Sequence, residues 1–176
     1  MYAIIGVENI GRYLPTLMEH PEDLQAREHV SFANTLGGFV MSTGKLMSQH
    51  SFEHVLSAHY PNLPHGAGLI LLCRAYFGHF IAKGIQREKF IALAKALGFE
   101  SAKKPEDFMV ALEVLLEKCR VQNLKMEDWG IAKEEIPLFA REVKEKFGDL
   151  LLNDPEELSL EECEEILMQS FLGKAH

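Results

Sequence analysis

Gln49-His50-Ser51-Phe52-Glu53-His54, followed by Pro64-His65-Gly66, holds three of the chain's eight histidines, His50, His54 and His65, across sixteen positions that also contain His59. Read as a helix, this stretch stands His50 and His54 one turn apart on one face with Glu53 beside them, because i, i+3 and i, i+4 side chains are helix neighbours. That is the spacing of a metal site on a helix. Pro64 lets the chain turn before the next helix, so that His65 can aim a third imidazole at the same point.

The helical period continues on both sides of this stretch, and no alternating strand of four or more residues stands between turn signals. The chain therefore reads as all-α, with residues 1–176 forming a single multi-helix domain. Tyr2 to Met18 carries Ile4, Ile5, Ile10, Tyr13, Leu14 and Leu17 at helical spacing. Pro21 suits the first position of the next helix, which should run toward Met41 with Gly37-Gly38 inside it. That pair reads as a helix-packing site ahead of a ligand approach. His65 to Phe80 is an apolar helix, in which Tyr76, Phe77 and Phe80 are spaced for core packing rather than for a cofactor. Gln86 to Leu97 should stop at Gly98, and Pro105 should open a helix through Leu116. Lys133 to Phe147 should end at Gly148, with Pro137 in its first turn. Ser159 and Glu162 form a capping box for the last helix. The acidic run from Asp154 to Glu165 reads as the solvated face of helix ends.

Composition narrows the function classes. A chain of 176 residues can bury about two-thirds of its unfolded surface and hold its own core. Its 18 basic and 26 acidic residues give a net charge of -8, which disfavours nucleic acid and anionic lipid as partners. No apolar run approaches the roughly 18 residues of a membrane span. The start, Met1-Tyr2-Ala3-Ile4-Ile5-Gly6, lacks a basic region and soon meets Glu8 and Arg12, so the expected location is the cytoplasm. Cys73, Cys119 and Cys163 are widely spaced, form no C-x-x-C pair, and read as buried thiols. His20, His29, His79 and His176 read as ordinary core or surface histidines, and His59 as a turn residue.

Two dinucleotide and nucleotide signatures are missing: there is no G-x-G-x-x-G after a strand and no Walker loop. Gly66-Ala67-Gly68 is a lone G-x-G, equally suited to presenting amides to an anion at a helix N-terminus and to a tight turn. His50 to His54 is also formally H-x-x-E-H, the inverted zinc-peptidase pattern, in which Glu53 would activate water and a further carboxylate such as Glu113 or Glu117 would complete the zinc site. That hydrolase reading also needs a sheet to hold peptide by strand addition, and no strand is visible.

The run Phe32-Ala33-Asn34-Thr35-Leu36-Gly37-Gly38-Phe39, then His50 through Ala58, then Leu63-Pro64-His65-Gly66-Ala67-Gly68, resembles the C-terminal helical domain of the iron-dependent alcohol dehydrogenases. The resemblance continues through Phe90 to Gly98 and Trp129-Gly130-Ile131, and ends in Leu158 to Glu162. It implies an active site at the floor of a cleft between a nucleotide-binding domain and this helical domain. It further implies His50 and His65 as ligands of a divalent metal, iron or sometimes zinc, and His54 as the catalytic-pocket residue near substrate and nicotinamide. The implied chemistry is transfer of a hydride between a small alcohol or aldehyde and NAD(P), with the metal polarising the alcohol oxygen.

The chain departs from the family pattern in what it lacks. The family's first two ligands are an Asp and a His four residues apart, whereas Asp23, Asp107, Asp128, Asp149 and Asp154 are the only aspartates here and none has a histidine four residues later. The nucleotide-binding domain, and with it any identifiable cofactor-binding residue, is also missing. The chain thus looks like a C-terminal half that begins just after the absent ligand pair. Metal binding by the isolated chain is expected to be weak or absent, and turnover absent. Two roles follow: a half-enzyme that joins a nucleotide-binding partner chain, or a non-catalytic helical remnant or interaction module. Either should expose apolar surface that once faced another domain, so a homo-oligomer or a partner complex is expected.

Overall fold

The computed structural model describes residues 1–174, all helix and loop with no strand among them, in agreement with the all-α reading. His176 lies outside the described residues. The helices are α1 (Tyr2–Glu19), α2 (Leu24–Thr43), α3 (Gln49–His59), α4 (His65–Ala82), α5 (Arg87–Ala96), α6 (Asp107–Lys118), α7 (Ile136–Leu151) and α8 (Leu160–Phe171), with short 3-10 turns at Met126–Trp129 and Lys133–Glu135. They gather into two compact units, one of residues 1–45 and 86–122, the other of residues 46–85 and 123–174.

In the first unit α1 and α2 form an antiparallel hairpin. Tyr2 lies against Phe39 at one end, with ring centroids 6.2 Å apart, and Tyr13 stacks on His29 nearer the other, at 3.8 Å. The Asn9 amide joins them, its Oδ1 2.9 Å from His29 Nδ1. Ala26, Ala33 and Leu36 make the buried stripe of α2. Pro21 does not open this helix as expected. Asp23 is the N-cap, its Oδ1 accepting from the Ala26 amide at 2.9 Å, and such a side-chain acceptor fixes a helix start more strongly than a tolerated proline. The expected packing at Gly37 and Gly38 is not found either, since an added Cβ at either would meet open space. The close approach is at Gly11, where a Cβ would lie 3.0 Å from Leu97 Cα, so α1 crosses the end of α5 with no room for a side chain. Gly98 does stop α5: its φ of 97° is in the left-handed region, and the Phe99 amide turns back to the Ala94 carbonyl. Pro105 precedes α6 by two residues instead of starting it. The Asp107 carboxylate accepts from the Lys103 and Lys104 amides and sets the turn. Phe90 and Phe108 pack α5 on α6 with centroids 5.4 Å apart.

The second unit is built around α4. Its Leu72, Ala75, Tyr76 and Phe80 are 0–1% exposed, as are Phe52 and Leu56 of α3 and Phe139, Val143, Ile166 and Leu167 of α7 and α8. Tyr76 contacts Phe52 and Phe80 edge to face, so two of the three aromatic side chains expected in the core are fully buried there. The three cysteines are buried thiols. The capping box of α8 forms as expected, the Ser159 amide donating to Glu162 Oε2 and the Glu162 amide to Ser159 Oγ. By contrast α7 passes through Gly148 to Leu151, with a kink at Phe147 (φ -131°, ψ 21°). Ser51 Oγ donates to the freed Phe147 carbonyl at 3.1 Å, so the helix resumes after the break instead of ending there.

The acidic run is only partly a solvated face. Glu156 and Glu162 pair with Lys83, and Glu157 with Lys144. Asp154 turns inward: its Oδ1 accepts from the Ser48 amide (2.9 Å) and from the Tyr76 hydroxyl (2.7 Å), and its Oδ2 from Ser48 Oγ. Together with Asn153 Nδ2, which donates to the Leu46 carbonyl at 2.9 Å, these bonds fasten the segment before α3 to the segment before α8. Burial holds the Asp154 carboxyl above its ordinary range, with the bonds from Ser48 and Tyr76 opposing. Burial and the adjacent Asp154 charge push the Tyr76 hydroxyl up in the same way, so it stays a neutral donor.

Candidate metal centre

Everything that forms the centre belongs to the second unit. α3 carries His50 and His54 one turn apart, and His65 is the first residue of α4, just after Pro64, whose extended ψ of 136° makes the turn. The three rings converge, with centroids 6.0 Å (His50–His54), 5.3 Å (His50–His65) and 5.7 Å (His54–His65) apart. One ring nitrogen from each lies within 4.8 Å of the others. Nitrogens about 2.0–2.1 Å from a tetrahedral metal are about 3.4 Å apart, so modest ring rotations bring this set to a coordinating geometry. His50 and His54 are half-buried and His65 is exposed, which leaves an open side.

The donor set fits a borderline divalent metal such as zinc or ferrous iron, for which neutral imidazole is a common ligand. Burial, followed by the neighbouring His65 and His54 rings, holds His50 below its ordinary pKa of 6.5, while Glu53 acts in the other direction. At neutral pH His50 therefore presents a lone pair.

Around the rings, the helices are fastened by polar groups. Gln49 Nε2 donates to the Leu69 carbonyl at 2.9 Å, tying the start of α3 to α4. Phe147, at the α7 kink, meets His54 edge to face at 5.5 Å and forms a wall on that side. Glu53 is 0% exposed and does not share the open face of the histidines. It projects toward α4: its Oε1 accepts from Ser57 Oγ, one turn along α3, and its Oε2 pairs with His65 Nδ1 at the start of α4. Glu113 and Glu117 lie on α6, in the first unit.

The remaining histidines of the second unit that the structure describes, and His20, stand outside this group of three. His59 ends α3 with Nε2 2.8 Å from Glu142 Oε2, His79 is 5% exposed with Nε2 3.5 Å from Glu162 Oε1, and His20 is exposed. The sequence reading missed Ser57 and Phe147, and read Gly68 as part of a G-x-G for an anion or a tight turn, whereas it makes room for Glu53. Ser57 was within reach of that reading, since Glu53 and Ser57 stand i, i+4 on one helix, whereas Phe147 enters through a kink with no local signature.

The model of the Fe-containing alcohol dehydrogenase family, C-terminal, matches residues 1–171. A long-chain primary alcohol dehydrogenase, AdhA, of Thermoanaerobacter ethanolicus is 32% identical over 94% of this chain and 42% of its own length. An NAD-dependent methanol dehydrogenase of Bacillus methanolicus is 29% identical over 80% of this chain and 37% of its own. The crystal structure of an archaeal halo-thermophilic alcohol dehydrogenase from a Red Sea brine pool superposes with a TM-score of 0.88 at 24% identity, covering 96% of this chain and 43% of that one. A 1,3-propanediol oxidoreductase does so with a TM-score of 0.84 at 23% identity, covering 97% and 44%. The chain thus spans about two-fifths of the length of the relatives it matches. With its fold and its matched residues in agreement, this chain belongs to the Fe-containing alcohol dehydrogenase family and corresponds to the family's C-terminal domain.

Proposed function

We propose that residues 1–176 act as one metal-binding domain, the half of an NAD(P)-dependent alcohol or aldehyde oxidoreductase that carries the metal, and that the domain is inactive alone. The observation that carries this reading is the convergence of three imidazoles from two helices, with nitrogens within 4.8 Å of one another. His50 and His65 hold the metal, and His54, backed by Phe147, lines the pocket where alcohol and nicotinamide meet. When bound, the divalent metal supplies Lewis acidity to an alcohol oxygen. The chain's own residues present neutral donors, orient them and wall off one side of the pocket.

The substrate class follows from relatives named for primary alcohols and methanol. Residues 1–176 hold no D-x-x-x-H pair and no nucleotide-binding fold, so the Asp, the other His and NAD(P) come from outside these residues, from a partner chain or from more of the same chain. The exposed apolar side chains of α1 and α2, Tyr2 (56%), Phe32 (49%), Phe39 (55%) and Met41 (57%), support a partner or a second copy on that unit. The second reading is a helical remnant or interaction module that keeps the fold without the chemistry. Against a zinc hydrolase stands Glu53, whose oxygens are engaged by Ser57 and His65 and are shielded from solvent.

The test is reconstitution. The chain alone, with alcohol and NAD(P), should give no rise in reduced nicotinamide absorbance. Its complex with a nucleotide-binding chain should bind ferrous iron or zinc tightly and turn over. A complex that does neither excludes the half-enzyme and leaves the remnant reading.

A further inference from the structure

Glu53 is the one carboxylate inside the interface between the two helices that carry the histidines, and a small cradle is built around it. The cradle has two parts. Ser57 Oγ, one turn along α3, donates to Oε1. On α4, Gly68 leaves the space that Glu53 fills, since a Cβ there would meet Glu53 Cγ at 2.7 Å, Oε1 at 3.0 Å and Cδ at 3.3 Å. Gly66, two residues earlier, meets nothing within 4 Å. Of the two glycines in the G-x-G, only Gly68 is required by contact, and what it admits is the side chain of Glu53.

Within this cradle Oε2 faces His65 Nδ1. With Oε2 as the acceptor of this contact, the ring nitrogen facing it carries the hydrogen, and the His65 lone pair is on Nε2. His65 is half exposed at the first position of its helix, where little else fixes its ring. A carboxylate on the far nitrogen of a metal-ligating histidine sets the tautomer, holds the ring and raises the basicity of the donor.

We propose that Glu53, seated between Ser57 and Gly68, is the positioning residue of the metal centre: it locks His65 as the Nδ1–H tautomer and directs a strengthened Nε2 donor to the metal. The inference rests on the metal-centre reading above, and it goes beyond it by assigning a role to the acidic residue of the motif and to the glycine that accommodates it. Glu53 acts here through His65, as a fixed acceptor, and transfers no proton.

The experiment uses the 176-residue chain, the Glu53→Leu and Glu53→Gln variants, and zinc alone as the probe. Glu53→Leu should fold, because Ser57 and His65 both reach solvent and neither is left as a buried orphan. Long-range proton–nitrogen correlation spectra of the metal-free, nitrogen-15-labelled chain should show His65 as Nδ1–H in the parent and in Glu53→Gln, whose amide oxygen still accepts. In Glu53→Leu the ring should revert to the Nε2–H form that an unconstrained imidazole prefers. Zinc affinity, by competition with a chromophoric chelator, should fall about 10- to 100-fold in Glu53→Leu, the usual cost of removing such an outer partner, and by less in Glu53→Gln. An unchanged tautomer with unchanged zinc affinity in Glu53→Leu overturns the proposal. If Glu53→Leu does not fold, Glu53→Gln decides: weakened zinc binding with the tautomer kept supports it, and zinc binding equal to the parent overturns it. If the isolated chain binds zinc too weakly to measure, the tautomer comparison decides: Nδ1–H in the parent and Nε2–H in Glu53→Leu supports the proposal, and no change between them overturns it.

Discussion

Replacing His50 with alanine is expected to lower the affinity of the chain for zinc by about a hundredfold. A structural zinc site of four ligands is worth about 10–16 kcal/mol, or roughly 3 kcal/mol per ligand, and that loss is about two decades in the dissociation constant. Burial also holds the His50 pKa below its ordinary value, so as the proposed ligand it would bind without first losing a proton at pH 7. Its removal leaves two imidazoles on two different helices, His54 on α3 and His65 on α4. The control is His59→Ala at the far end of α3, where the side chain pairs with Glu142, and this variant should bind zinc like the parent. Chelator competition reads both, with ferrous iron titrated under anaerobic conditions. Equal affinities for the parent and His50→Ala would place the metal elsewhere.

The second large effect is on stability. Asp154→Ala should destabilise the chain by about 3 kcal/mol. Three donors lose one acceptor, each bond to a charged group being worth about 1.5–3 kcal/mol, and the desolvation that burial imposes on the carboxylate offsets part of the sum. The Tyr76 hydroxyl is then left in a core where its residue is 1% exposed. At this chain length the melting temperature should drop by about 6–12 °C. The pH dependence has a definite sign. Because the folded-state pKa of Asp154 lies above its ordinary 3.8, the native state holds this proton more tightly than the unfolded state. The group's contribution is therefore complete below the unfolded pKa and is lost as pH rises through the folded value. Asp154→Asn removes that contribution, so its stability should fall more steeply on acidification than the parent's. Urea unfolding across the acidic range measures both effects. A variant that melts with the parent would mean that Asp154 does not join the two segments.

Local rules made much of this fold legible. The spacing of His50 and His54, the Ser159-x-x-Glu162 box and the left-handed stop at Gly98 each depend on residues within one or two turns, and each is found where the sequence puts it. The misses share a different cause. The start of α2 went to Asp23 over Pro21 because a side-chain acceptor outweighs a permitted proline. α7 passed Gly148 because Ser51, 96 residues away in sequence, satisfies the carbonyl at the Phe147 kink. Asp154 sits in a run that reads as solvated, but its partners, Ser48 and Tyr76, are 106 and 78 residues away.

The candidate site divides in the same way. The histidines could be gathered from spacing and a turn. The environment of Glu53 could not, because Gly68 matters only through the atoms facing it from another helix. Sequence spacing says which side chains share a helix face, and here the acidic residue of the motif leaves that face for the interface. The relation of the chain to its relatives was carried by motifs spread along its whole length, so it did not depend on any one of these contacts.

Anomalous diffraction from crystals of the zinc-loaded chain tests whether His50 and His65 hold a metal beside His54. An anomalous peak is expected between α3 and α4, about 2.0–2.1 Å from imidazole nitrogens of His50 and His65, with Nε2 of His65 among them. A peak among the carboxylates of α8, or none beside the three rings in crystals grown with saturating zinc, would contradict it.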